Sequence, residues 1–273
     1  MGFASDDQGW AVGDDAAVPV GPEQPGVLPV ARSGWRLSLY EEAGEAGGCY
    51  QSNAPARLSL REGPAADPER AAAEAARRAR SKVRRYCAAN RLNRLGTLTY
   101  RGAGCHDPRA LRDDVAGFFR RLRAGIGGRP LAYLWTAEWH KTGHGLHVHF
   151  AVGEYIRRSL IDQAWGHGFV HIKLLGDLPV GTGPVGQARK AAGYLSKYVG
   201  KAFEEDGRIP GLHRYEVAQG FAPVKVEVWG RTRPEAVREA CRVMGGEVPE
   251  RMWTSDEVEG WKAPPAVWLQ WAG

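Results

Sequence analysis

Cysteine is scarce in this 273-residue chain: there are four, Cys49, Cys87, Cys105 and Cys241, none in a C-x-x-C pair. That scatter argues against a disulfide frame and against a cysteine zinc site, and it fits reduced thiols in a cytoplasmic protein. Long apolar runs are missing as well. No stretch approaches 18 consecutive apolar residues, so neither a membrane-spanning helix nor a membrane partner is expected. The first residues, Met1 to Asp7, lack the basic start and apolar stretch of a secretory signal. A Walker A pattern is also absent, so work driven by nucleotide hydrolysis must come from another protein.

What is present suits a folded chain. Hydrophobic residues make up 43% and charged ones 25%, which excludes wholesale disorder. The length allows one large domain, or a medium one with appendages. Charge is unevenly spread beneath the overall +6. Residues 1–60 hold three basic against eight acidic residues, a net −5, and the remainder holds 34 against 23, a net +11. A basic body behind an acidic leader points to a polyanionic partner.

The chain divides into an acidic, Gly/Pro-rich leader over 1–66, partly disordered, a main domain over 67–230 and a C-terminal helix with a Trp-rich extension over 231–273. Within the leader, Arg36–Tyr40 and Arg57–Leu60 read as short strands around a turn rich in glycine (Gly44, Gly47, Gly48). Asp67-Pro68 opens a helix running to about Asn90, with Asp as N-cap and Pro at the first helical position. Arg94–Tyr100 is a strand, and Asp107-Pro108 opens a second helix to about Arg123. Leu131–Trp139 and Leu146–Val152 form a hairpin about the turn Thr142–Gly145. Helices are expected near 154–165, 187–203 and 234–244, with strands at 169–174 and 224–229. Adjacent strands joined by hairpins make the class α+β, with a central antiparallel sheet and flanking helices. Four of the ten tryptophans (Trp253, Trp261, Trp268, Trp271) fall in the last 21 residues, where they are expected to pack the core of a small terminal module, with stacking on bases as the alternative.

Chemistry concentrates in four places. Thr97-Leu98-Thr99-Tyr100 is a strand ending in hydroxyls. In His147-Val148-His149, side chains two apart on a strand share a face, so two imidazoles supply half of a divalent-metal site. Eight histidines in 273 residues produce about 0.2 such pairs by chance, so the pair alone decides little. Glu138 on the preceding hairpin strand is the best-placed third ligand, ahead of His144 and His140. The third place is Tyr194-Leu195-Ser196-Lys197-Tyr198-Val199-Gly200-Lys201, where Tyr194 and Tyr198 lie about 6 Å apart along one helical face. Lys197 and Lys201 repeat the step. A phenol is a poor nucleophile until its anion is stabilised, which a nearby ammonium or metal can do. The fourth is the basic helix, where Arg77, Arg78, Arg80, Lys82, Arg84 and Arg85 have the density for phosphate contacts that position DNA without reading it.

The TLTY strand, the H-hydrophobe-H strand and the Y-x-x-K-Y helix, in that order, resemble the HUH endonucleases that initiate rolling-circle DNA replication. The double tyrosine is similar to that of the gene A proteins of isometric single-stranded DNA phages and of related plasmid initiators. The resemblance spans roughly residues 68–230. It implies an HUH/RRM-like palm: a central antiparallel sheet with helices on one face, the histidines on a central strand and the tyrosines on a facing helix. It also implies Mg²⁺ or Mn²⁺ held by His147, His149 and an acidic or third histidine ligand, Glu138 foremost, with Tyr194 and Tyr198 as nucleophiles and Lys197 and Lys201 as their electrostatic support. The substrate it implies is single-stranded origin DNA, contacted also by Thr97 and Thr99. Nicking would leave a 5′-phosphotyrosine and a free 3′-OH, and rejoining would need no ATP. A host helicase and polymerase would complete replication in a bacterial cytoplasm. Two rivals remain at this point: a rolling-circle transposase with paired tyrosines, and a non-catalytic nucleic-acid-binding module on an RRM-like sheet.

Overall fold

The computed structural model describes residues 33–53, 68–174, 183–201, 209 and 211–272, and the side chains of residues 68–70, 174, 198, 200 and 201 lie outside that description. Residues 1–32 of the expected leader, the candidate strand Arg57–Leu60 and the cap at Asp67 also lie outside it. In chain order the elements are β1 (Gly34–Tyr40), β2 (Glu45–Gln51), α1 (Pro68–Ala89), β3 (Arg94–Tyr100), α2 (Pro108–Gly125), β4 (Tyr133–Trp139), β5 (Leu146–Val152), α3 (Arg158–Trp165), β6 (Gly168–Leu174), α4 (Pro184–Lys201), β7 (Glu216–Val217), β8 (Val226–Gly230), α5 (Arg233–Val243), β9 (Arg251–Thr254) and β10 (Ala266–Gln270). No helix among the described residues is long and apolar enough to cross a membrane.

The strands form two antiparallel sheets of five, ordered β6-β3-β5-β4-β7 and β8-β1-β2-β10-β9. Expectation and structure agree on the α+β class and on the first, central sheet. Alternation along its strands separates two faces. Leu98, Trp135, Val148 and Phe150 pack on one face against Val115, Phe118 and Phe119 of α2 and Trp165 of α3. Leu95, Leu134 and Ala151 pack on the other against Val83 and Cys87 of α1 and Ala191, Ala192 and Leu195 of α4. Helices therefore cover both faces rather than the one face expected. Each helix has its own apolar stripe to bury: residues 76, 79, 83, 86 and 87 of α1 and 188, 191, 192, 195 and 199 of α4 are buried at helical spacing. At the start of α2, the Asp107 carboxylate accepts from the Arg109 amide at 2.9 Å, with Pro108 opening the first turn.

The second sheet departs from expectation. The glycine-rich stretch expected as a turn is β2, paired residue for residue with β1 from Gly34↔Gln51 to Tyr40↔Glu45. Glycine is needed there because a Cβ on Gly48 would collide with the Arg36 carbonyl oxygen of the neighbouring strand. The Trp-rich tail supplies β9 and β10, and β10 pairs with β2. Segments from the two ends of the chain thus share one sheet. α5 closes one of its faces over Trp35, Leu37, Val228, Val267 and Leu269.

Candidate metal centre and nucleophile helix

Register assembles the site. β4 and β5 pair so that Glu138 lies opposite His147 and Thr136 opposite His149. β3 sets Thr99 opposite His147 and Thr97 opposite His149. β6 sets Phe169 opposite Thr99 and His171 opposite Thr97. Two rows therefore cross the face that looks toward α1 and α4: Phe169–Thr99–His147–Glu138 and His171–Thr97–His149–Thr136.

Within the first row and its neighbour, three ligand atoms converge. The Nε2 atoms of His147 and His149 are 2.9 Å apart, and Glu138 Oε2 lies 3.5 Å from the first and 3.3 Å from the second. Both histidines are buried, at 8% exposure. Adjacent ligand atoms in an octahedral shell with bonds near 2.1 Å stand about 3.0 Å apart, so the three edges fit a small divalent cation. Two imidazoles and one carboxylate are also suitable donors. Among the described residues this is the group of histidine, cysteine and acidic side chains close enough to hold a metal. His144 and His140 make other hydrogen bonds: His144 Nε2 lies 3.0 Å from the Tyr100 carbonyl oxygen and His140 Nδ1 lies 2.7 Å from Thr142 Oγ1, with the His140 ring edge-on to that of His147 at 5.3 Å between centroids. Thr97 Oγ1 stands 3.2 Å from His149 Nδ1. With Nδ1 donating to that hydroxyl, the Nε2 lone pair is turned toward the cluster.

Beside the cluster is a cavity of about 260 Å³ between the sheet and α4, lined by Thr97, His149, His171, Lys173, Lys190 and Tyr194 among others. Tyr194 is 45% exposed, and Lys197 Nζ lies 5.9 Å from its ring centroid. Tyr198 and Lys201 continue the helix backbone, their side chains lying outside the described set. The structure thus brings Tyr194 and His149 to one cavity. Three cavity residues escaped the sequence reading: His171, Lys173 and Lys190. Signals for them existed, since His171 and Lys173 alternate with apolar residues on an expected strand and Lys190 precedes Tyr194 by one helical turn. Phe169, on the same edge strand and face, is 70% exposed.

The TLTY strand splits by face. Tyr100 points away from the site and donates to Asp114 Oδ2 at 2.8 Å. Burial first, then that hydrogen bond, pushes its phenol well above the ordinary tyrosine range, which suits a core group and not a nucleophile.

The basic helix also divides. Arg77, Arg80 and Lys82 are exposed, and Arg78 lies 3.7 Å from Glu74. Arg84 forms a two-pronged pair with the buried Glu45, Nε to Oε2 at 2.8 Å and Nη2 to Oε1 at 2.7 Å. Burial opposes the Arg84 charge, but the Glu45 hydrogen bonds and charge outweigh it and leave its pKa raised. Arg85 lies 4.4 Å from the Tyr40 ring centroid. Arg84 and Arg85 thus fasten α1 to the second sheet. Arg189 does the same for α4, donating to the carbonyl oxygens of Trp271 at 2.9 Å, Ala43 at 2.7 Å and Gly44 at 2.9 Å.

No curated protein and no solved structure matches this chain. Residues 93–203, from just before β3 through α4, match the model of the replication-associated protein ORF2/G2P family.

Proposed function

We propose that the protein is a replication initiator that nicks and rejoins single-stranded origin DNA by tyrosine transesterification. The observation that carries the reading is the convergence of His147, His149 and Glu138 beside a cavity that Tyr194 also lines. The family match over the same elements supports it. His147, His149 and Glu138 would hold Mg²⁺ or Mn²⁺, which when bound supplies Lewis-acid polarisation of a non-bridging phosphate oxygen.

The protein's own groups do the rest. The basic lining of the cavity, Lys173 and Lys190, draws the phosphate in and balances charge that grows during transfer. Phe169, His171 and Lys173 form a track along the edge strand for flanking nucleotides, with Phe169 offering a ring to a base. Arg77, Arg80 and Lys82 contact phosphates further along the strand. The Tyr194 phenol loses its proton as its oxygen bonds to phosphorus, and the bond from phosphorus to the 3′ oxygen breaks. That oxygen takes up a proton and becomes the free 3′-OH, while the 5′ phosphate stays on tyrosine. The phosphodiester energy is kept in the new ester, so the reverse step reseals DNA without ATP. Lys197, whose Nζ lies 5.9 Å from the Tyr194 ring centroid, balances negative charge that develops on the phenol oxygen during the attack. Tyr198 and Lys201, one turn on, serve the second transfer.

The test is covalent capture. The full chain is incubated with Mn²⁺ and a 3′-labelled single-stranded library of random sequence, and labelled protein is looked for on a denaturing gel. Wild type and each single variant, Tyr194→Phe and Tyr198→Phe, should carry label, and the double variant and His147→Ala should not. Full labelling of the double variant would refute the tyrosine mechanism. A non-catalytic binding module would give no adduct with any of these proteins.

A further inference from the structure

The second sheet has a face that α5 does not cover. Alternation puts Arg36, Ser38 and Tyr40 of β1 on it, opposite the Trp35–Leu37–Leu39 face that α5 closes. Register then builds the surface: Trp229 of β8 lies opposite Arg36, and Trp268 of β10 lies between Gly47 and Trp253 of β9. Arg251 stands two residues from Trp253 on the same face. Arg36, Trp229 and Arg251 are exposed, and Trp253 and Trp268 are half-buried.

Of the tail's four tryptophans, expected in the core of a terminal module, Trp271 is buried in the core of this sheet, whereas Trp253 and Trp268 are half-buried and Trp261 is exposed. Gly47 keeps the middle of the face low, since a Cβ there would stand 3.3 Å from the Trp268 ring. The face's acidic groups are already matched to cations, Glu45 with Arg84 at 2.7 Å and Glu227 with Lys225 at 3.3 Å. Arg84 also lies 5.3 Å from the Trp268 ring centroid, so the basic helix α1 joins the face at its Tyr40–Glu45 end.

We infer that the part of this face exposed among the described residues, around Arg36, Trp229, Trp253 and Arg251, is a second contact surface for single-stranded DNA, separate from the cavity that Tyr194 lines. Flat indoles stack on bases of any identity, and guanidinium groups between them match the phosphates. Trp229 and Trp253 sit on the two edge strands, four strand spacings or about 19 Å apart, the span of a few nucleotides. The surface gives the protein a grip on the strand that does not depend on the metal centre. The inference takes its partner from the function proposed above, but its test does not need that chemistry to work.

Binding of a fluorescein-labelled 20-mer of thymidine to the full chain is followed by anisotropy in EDTA, where the metal centre is silent. Trp229→Ala and Arg36→Glu should each weaken binding about tenfold, or about 1.4 kcal/mol. Trp229→Phe, which keeps a ring, should recover most of the loss. Irradiation of a 20-mer carrying 5-iodouracil should cross-link to peptides containing Trp229 or Trp253. Unchanged affinity in both weakening variants, or cross-links confined to residues 93–203, overturns the inference. A Trp229→Ala loss that phenylalanine fails to recover also overturns it, because it marks a structural role. Arg36 is exposed, so Arg36→Glu keeps the test sound even if Trp229→Ala unfolds. Should the covalent-capture experiment fail while these binding losses appear, the surface stands and the nicking mechanism falls.

Discussion

Replacing Thr97 by valine asks whether the hydroxyl beside His149 prepares a metal ligand. Valine keeps the β-branched shape that suits a strand and deletes the oxygen 3.2 Å from His149 Nδ1. The imidazole then loses the acceptor that fixes its tautomer and ring angle. Such outlying hydrogen bonds are worth about 10- to 100-fold in metal affinity. At 3.2 Å this one is long, which places the expected loss near the low end, about tenfold or 1.4 kcal/mol. The fold should lose less, about 0.5–1.5 kcal/mol for one neutral hydrogen bond. Thr99→Val is the control, one pleat along on the same strand and face, opposite His147. Mn²⁺ affinity measured by titration calorimetry, with urea unfolding of the metal-free protein beside it, separates the two quantities. Capture of DNA by Thr97→Val should return to the wild-type rate when Mn²⁺ is raised about tenfold. Equal metal affinity in wild type and Thr97→Val, or an equal drop in the Thr99→Val control, would refute the tautomer argument.

Two further perturbations follow. The Arg84–Glu45 pair is lopsided, with side-chain exposures of 34% and 5%. Arg84→Ala strands a buried carboxylate and should cost about 3 kcal/mol, whereas Glu45→Ala lets the arginine reach water and should cost about 1 kcal/mol; urea midpoints in the reverse order would contradict this. Phe169→Ala removes a side chain that is 70% exposed, so stability should move by less than about 0.5 kcal/mol. Its KM for a cleavable oligonucleotide should rise about tenfold at an unchanged saturating rate, and an unchanged KM would take Phe169 out of the DNA track.

Much of the candidate site's geometry was legible because its determinants are local. The turn expected at Thr142–Gly145 is enough to bring Glu138 opposite His147, and two-residue alternation aims His147 and His149 the same way. The second sheet was illegible for the opposite reason. Its strands come from residues 34–51 and from three segments after residue 225, and no local period announces that pairing. Its second strand is written in glycine, the residue least suggestive of a strand, because Gly48 passes close to a neighbouring carbonyl. The same blindness affected the basic helix. Composition cannot distinguish an arginine facing water from Arg84, whose partner Glu45 lies 39 residues earlier.

That distant sheet would bear on the proposed chemistry through α4. Tyr194 projects from a helix whose buried stripe is largely alanine, with Leu195 and Val199, and small side chains hold a helix against its neighbours with little area per residue. Arg189, five residues before Tyr194, adds three hydrogen bonds to carbonyl oxygens of the chain that borders the second sheet. Burial pulls the Arg189 pKa down, and the charge persists because nothing near neutral pH approaches a guanidinium's range. A nucleophile must sit within a few tenths of an ångström of its line of attack. The alanine stripe sets how closely α4 approaches the sheet, and the Arg189 clamp opposes its sliding along it. On the proposed mechanism two such transfers in succession would need a helix that is held but not immobile, and a polar clamp of exchangeable hydrogen bonds supplies that better than a large apolar interface.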